Sequence, residues 1–232
     1  MIAMKRISVL LADDHTVVRQ GLRALLEAEG DIRVVAEAAN GRQAVSLTKK
    51  ALPDVVLMDL AMPVLNGLEA TRQILKNVPS VKVLVLTSYE DDDYVQQMLQ
   101  AGVAGYLIKQ TAADDLLEAI REVHQGHAFY SPTVARRLHV LRHENADRNS
   151  RLRRVNPLTP REAEVLQLIA EGFPNKQIAV ELNISIKTVE KHRQQVMNKL
   201  NIHDTAGLTR YSISKGLVER QVPALASSDR AP

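Results

Sequence analysis

The sequence contains no cysteine. Disulfides and thiolate-bound metals are therefore excluded, which fits a reducing compartment. It also lacks any apolar run of membrane-spanning length. The opening segment MIAMKRISVLLADDH does not read as a secretory leader, because its apolar stretch, Ile7 to Ala12, is short and stops on two aspartates. There is no internal repeat and no low-complexity tract. These absences lead to the expectation of a soluble, cytoplasmic protein with no membrane partner. What the chain does have is 232 residues, of which 45% are hydrophobic, enough for two domains with a core each.

The near-neutral total charge hides an imbalance. Residues 1–130 hold 13 Lys and Arg against 17 Asp and Glu, whereas residues 131–232 hold 17 against 10. An acidic half joined to a basic half suggests two tasks, with the basic half the candidate for a polyanionic partner.

The first half alternates short, Val/Ile/Leu-rich runs (RISVLLA, IRVVAEA, DVVLMD, VKVLVLT, AGYLI) with amphipathic stretches of helical period. Five such alternations predict a doubly wound α/β fold, a five-stranded parallel sheet in the flavodoxin-like order with helices on both faces. From Ser131 the character changes. Ser131 and Pro132 form a helix-start signal for TVARRLHVLRHE, and NADRNSRLRRVNP is polar, basic and aperiodic. Residues 127–156 are thus read as a linker with a possible helix. A small all-α domain follows. Thr159, Pro160 and Glu162 form a capping-box signature, Ser185 is the expected cap of the helix IKTVEKHRQQVMNKLN, and residues 218–232 read as a disordered tail.

Open parallel sheets expose chemistry at the carboxyl ends of their strands. Asp13 and Asp14 end the first strand, Asp59 the third, Thr87 the fourth and Lys109 the fifth. Strands one and three are neighbours in this order, so the three carboxylates should converge. Such a cluster is unfavourable without a cation. Oxygen donors without thiolates or paired histidines favour a hard ion, Mg²⁺. A carboxylate beside that ion can accept a phosphoryl group as an acyl phosphate. Asp59, alone on the middle strand, is the expected acceptor. Asp13 and Asp14 would hold the ion, and Thr87 and Lys109 would grip the phosphoryl oxygens. Asp14 is also a candidate cap for the helix that follows.

With LLADDH, VVLMDLAMPVLNG, VLVLTSYED and AGYLIKQ in place, residues 5–126 resemble a response-regulator receiver domain. The resemblance implies that a histidine kinase phosphorylates Asp59 and that the backbone carbonyl of Ala61 joins Asp13, Asp14 and Asp59 on Mg²⁺. It also implies that Thr87 moves toward the phosphoryl group while Tyr106 turns inward. Gln110 stands where many receivers carry a cis proline after the lysine.

On a helical wheel IKTVEKHRQQVMNKLN gathers Val189, Val196 and Leu200 on one face, flanked by Ile186 and Met197. Lys187, Lys191, Gln194 and Asn198 lie opposite, with Thr188 and Glu190 on the flanks. A Lys/Gln/Asn face on a helix that follows a short helix and a tight turn suits the major groove of double-stranded DNA. The run LTPREAEVLQLIAEGFPNKQIAVELNISIKTVEKHRQQVMNKLNI resembles the LuxR-type helix-turn-helix domain, here residues 157–217. Receiver and LuxR-type domain together resemble the NarL/FixJ-type transcriptional regulators. In that family the positions of Glu190, Lys191 and Gln194 approach bases, and those of Lys176 and Thr188 touch backbone. Pro174 replaces a common capping serine, which offers the cap to Asn175.

The resulting expectation is a two-component response regulator, not an enzyme. Phosphorylation of Asp59 would switch sequence-specific DNA binding, with a homodimer on DNA. Two alternatives stand beside it: an aspartate-nucleophile phosphatase, and a DNA-binding protein indifferent to phosphorylation. The first is weakened because Ala61 occupies the place where such phosphatases carry a general acid. The second is weakened by the full set of Asp13, Asp14, Asp59, Thr87 and Lys109.

Overall fold

The computed structural model describes residues 6–88, 92–110, 113–137 and 158–218, the side chains of 92–94 excepted. Strands β1 (Ile7–Ala12), β2 (Ile32–Ala38), β3 (Val55–Met58), β4 (Lys82–Thr87) and β5 (Gly105–Ile108) alternate with helices α1 (Thr16–Ala28), α2 (Gly41–Ala51), α3 (Gly67–Asn77), α4 (Asp92–Ala101) and α5 (Ala113–Gln125). A sixth strand, β6 (Phe129–Tyr130), pairs in parallel with Gly105 and Tyr106 of β5. The sheet order is β2-β1-β3-β4-β5-β6.

The sixth strand corrects the five-stranded expectation and claims part of the segment read as linker. Two residues carry no periodicity, so no hydrophobic pattern announces it. After it, residues 132–137 are helical (α6), and the Ala135 amide donates to the Ser131 carbonyl at 2.8 Å, as the Ser131–Pro132 signal predicted. The rest of the linker reading and the tail from 219 onward lie outside the described residues.

Strand side chains alternate between two apolar layers. Val9, Leu11, Leu57, Leu84 and Leu107 pack with Leu26 of α1 and Ile120 of α5. Leu10, Val56, Met58, Val83 and Val85 pack with helices α2, α3 and α4 through Val45, Ile74 and Met98. Burying a side chain of this size contributes roughly 1.5–3 kcal/mol. The sheet's polar ends therefore project from a rigid, two-sided core.

The second domain comprises α7 (Pro160–Ala170), α8 (Asn175–Glu181), α9 (Ile186–Leu200) and α10 (Thr205–Ser214). The capping box at α7 forms as predicted: Thr159 Oγ1 accepts from the Glu162 amide at 3.3 Å, and the Glu162 carboxylate accepts from the Thr159 amide at 2.7 Å. Ser185 caps α9 through the Thr188 amide at 3.1 Å. Two local expectations fail. Pro174 itself occupies the cap position of α8 and offers no side-chain acceptor, so Asn175 is the first helical residue. His15, not Asp14, stands at the cap position of α1, again without a side-chain cap. Val189, Val196 and Leu208 lie at the centre of this domain's core.

Candidate functional site

Asp59 follows the fully buried strand β3 and is itself 3% exposed; Asp13, just past β1, is equally hidden. The parallel pairing of β1 with β3 sets them side by side, and the Asp59 amide donates to the Ala12 carbonyl at 2.8 Å. Lys109 follows β5 and places its Nζ 2.7 Å from Asp59 Oδ2 and 2.8 Å from Asp13 Oδ2. The lysine thus reaches the crevice with Gln110 behind it, and no peptide bond among the described residues is cis. Thr87, fully buried at the end of β4, accepts the Lys109 amide on its carbonyl at 2.8 Å. Asp13, Asp14, Asp59 and Lys109 therefore gather at one crevice, and Thr87 ends the strand beside β5.

His15 also belongs to this cluster. Single ligand atoms from Asp13, Asp14, His15 and Asp59 all lie within 4.8 Å of one another. The His15 amide donates to Asp13 Oδ1 at 2.8 Å, and its ring Nδ1 sits 2.8 Å from Asp14 Oδ1 without hydrogen-bond alignment. In the sequence, only its place directly after the aspartate pair marks His15.

Burial pushes the Asp59 carboxyl up to about 6, against the pull of Lys109 and with a further push from Asp13. Burial alone would lower Lys109, yet Asp59 and Asp13 beside it raise the ammonium above the ordinary lysine range. One cation thus serves two buried carboxylates, and the buried Asp14 Oδ1 has no hydrogen bond. This donor set, hard oxygens in carboxylate excess with an unsatisfied member, fits a divalent cation. Ala61 is buried two residues beyond Asp59 and lines a cleft together with Asp14. Tyr106 is fully buried within the layer formed by Val85, Met98 and Ile108, an inward position.

In the helical domain Lys176, Lys187, Glu190, Lys191, Gln194 and Asn198 are exposed, and Thr188 is half-buried. Gln194 Nε2 donates to Asn198 Oδ1 at 2.9 Å one turn on, so the two amides form a single polar strip. Val189 and Val196 are fully buried beneath them. Ile186, expected to flank that apolar stripe, is instead 45% exposed because it opens the helix ahead of the core contacts.

The two domains touch through a contact the sequence reading did not foresee. Gln167 of α7, fully buried, accepts on Oε1 from the Asn66 amide at 2.9 Å and from Asn66 Nδ2 at 3.0 Å. Its Nε2 donates to the Met62 carbonyl at 2.9 Å and to Glu171 Oε1 at 2.7 Å. Glu171 in turn accepts from the Val64 amide at 3.0 Å. Val64 has φ +70°, a strained setting for a β-branched residue, and its side chain packs against the helical domain's core. Glu164 accepts from Gln73 Nε2 at 2.8 Å, and Arg42 pairs with Glu181 at 2.9 Å. The gripped loop, residues 60–66, leaves directly from Asp59. A polar residue inside an amphipathic helix gives no clue to a partner on another domain, which is why Gln167 was invisible in advance.

Comparison with known proteins matches residues 9–121 to the response regulator receiver domain and residues 156–212 to the bacterial regulatory proteins of the luxR family. The transcriptional regulatory protein DegU of Brevibacillus brevis is 38% identical over 226 residues, covering 92% of this chain and 96% of that protein. The response regulator protein VraR of Staphylococcus aureus is 38% identical over 216 residues, covering 92% and 99%. A solved structure of two RcsB dimers bound to two parallel DNAs is 30% identical, has a TM-score of 0.55, and covers 90% of this chain and 99% of that one.

Proposed function

The chain belongs to the two-component response regulators that join a receiver to a LuxR-family DNA-binding domain, and from that premise we propose that Asp59 is the residue through which it is switched. It is a regulator of transcription rather than a catalytic enzyme. One observation carries the assignment: Asp59 and Asp13 share Lys109 at 2.7 and 2.8 Å at the mouth of the sheet, with Asp14 alongside.

Asp59 attacks the phosphorus of a phosphohistidine on a sensor kinase. The phosphorus–nitrogen bond breaks as the phosphorus–oxygen bond to Asp59 forms, and the imidazole, carrying a proton on its other ring nitrogen, departs neutral. Lys109 stays within reach of the transferred oxygens. Thr87 donates its hydroxyl to the new phosphoryl group, a charge-assisted bond worth roughly 1.5–3 kcal/mol, and the setting of Tyr106 follows the space Thr87 leaves. Asp13, Asp14, Asp59 and the Ala61 carbonyl would hold Mg²⁺, which when bound neutralises phosphoryl charge. The protein would act in the cytoplasm, where kinase output and DNA meet.

On the DNA side, Lys191, Gln194 and Glu190 approach base edges, while Lys176, Lys187, Thr188 and Asn198 border the backbone. By analogy with RcsB, which forms dimers on DNA, two copies would read half-sites spaced near whole turns of about 10 bp.

The test is direct. Acetyl phosphate with Mg²⁺ should add one phosphoryl group to the intact protein by mass spectrometry, and Asp59→Asn should take up none. Phosphate uptake by the Asn variant would move the acceptor elsewhere. Lys191→Ala should weaken binding to promoter DNA in a titration at fixed salt; unchanged affinity would remove Lys191 from the interface.

A further inference from the structure

The helical domain meets the receiver largely through glutamate and glutamine side chains. Glu164, Glu171 and Glu181 are three of the six acidic residues among its described positions, and each meets the receiver. What they meet is a carboxamide (Gln73), a backbone amide (Val64) and a guanidinium (Arg42). Gln167 completes the seam from the centre of α7. The residues read above as facing DNA take no part in the described hydrogen bonds or ion pairs that cross between the domains. Lys176, Lys187, Lys191 and Gln194 remain exposed with the domains in contact.

A receiver that masked α9 would have to desolvate these lysines, and buried ammonium groups need carboxylate partners. The receiver supplies none to α9 among the described ion pairs. In the described ion pair across the seam it contributes Arg42, whose charge has the opposite sign from what sealing a basic face requires.

We infer that the docked protein binds duplex DNA through α9 without separating its domains, so that the α7 seam orients the DNA-binding module rather than covering it. This rests on the reading of α9 as the DNA helix. Docking and DNA binding then use different residues of one small domain.

The chain's lack of cysteine makes the test clean, since an engineered pair is the only thiol pair present. Gln73→Cys and Glu164→Cys, whose native side chains touch across the seam, are bridged with a short, reductively cleavable bismaleimide in the full-length protein. The probe is a fluorescent duplex selected from a random-sequence library by the unbridged protein. The bridged form should bind within about threefold of the same sample after cleavage, at matched salt. A loss greater than about tenfold on bridging, recovered on cleavage, would overturn the inference and leave the DNA-binding reading intact. If the unbridged protein selected no duplex, the DNA-binding reading itself would fall, and the inference with it. Because the cleaved sample is its own reference, damage from the two substitutions cannot imitate either result.

Discussion

At the scale of single residues, the acceptor site is strained by its own charge. The Asp59 carboxyl sits at about 6 rather than 3.8, so the fold favours its protonated form. That preference contributes fully below the unfolded value and is lost as pH rises through about 6. Asp59→Asn keeps the neutral form at every pH. In the presence of a chelator it should therefore stabilise the protein above about pH 7, by about 1–3 kcal/mol, and change little below about pH 4. Urea unfolding at the two ends of that range checks it; equal stability of variant and parent at high pH would show that Lys109 alone satisfies the carboxylate. Lys109→Met should go the other way, leaving Asp13 and Asp59 buried without their shared cation, and should cost several-fold more stability at high than at low pH. These residues were legible because each follows an apolar strand, where a lone polar side chain has nowhere to go but the sheet's edge. Asp14 was legible as a ligand candidate but wrong as a cap, since proximity to a helix start does not decide which residue closes it.

At the scale of elements, close backbone approaches hold the acceptor loop. A Cβ on Gly67, the first residue of α3, would stand 2.0 Å from the Asp59 carbonyl oxygen and 2.9 Å from the Leu60 Cα. Both are backbone atoms that cannot swing aside. Gly67→Ala should cost about 3 kcal/mol, the upper end of overpacking penalties, and should displace the acceptor loop enough to slow phosphate uptake. Calorimetry together with the acetyl phosphate assay separates the two effects. Thr159→Ala should cost about 1 kcal/mol by removing one half of the capping box on α7, with no effect on the receiver's phosphorylation. The periodic elements were readable as a pattern: the amphipathic stretches between the apolar runs form helices, α2 over Gly41–Ala51 and α3 over Gly67–Asn77 among them. What escaped was pairing without pattern. The two residues of β6 join the sheet because β5 offers a free edge, not because their own sequence alternates.

At the scale of the whole molecule, the two domains are joined by groups that dislike charge. Burial raises Glu171, opposed by its bonds to Gln167 and Val64 and aided by Glu181 nearby. Burial likewise raises Glu69, whose neighbours are Arg72, which lowers it, and Glu164 from the other domain, which raises it. A raised carboxyl at the seam such as Glu171 stabilises the docked form when protonated, so docking should tighten as pH falls and loosen as pH rises. Small-angle scattering between about pH 5 and about pH 8 should show the molecule expand with pH, and Glu171→Gln should flatten that response. Gln167→Ala should leave the Asn66 amide and the Met62 carbonyl without partners, at about 1–3 kcal/mol, and expand the molecule at every pH. None of this was legible in the sequence, because a domain contact is written in two distant segments and neither half is unusual alone. The contact has one further consequence. The helical domain addresses the receiver loop mainly through main-chain atoms, at Met62, Val64 and Asn66. Main-chain atoms carry no side-chain code, so apart from Val64 and Asn66, whose side chains also touch the helical domain, the loop can drift in sequence while its shape is kept. Chimeras that graft this DNA-binding half onto a foreign receiver with the same loop course should therefore assemble correctly, and gene fusion could rewire such a regulator to a new stimulus in a single step.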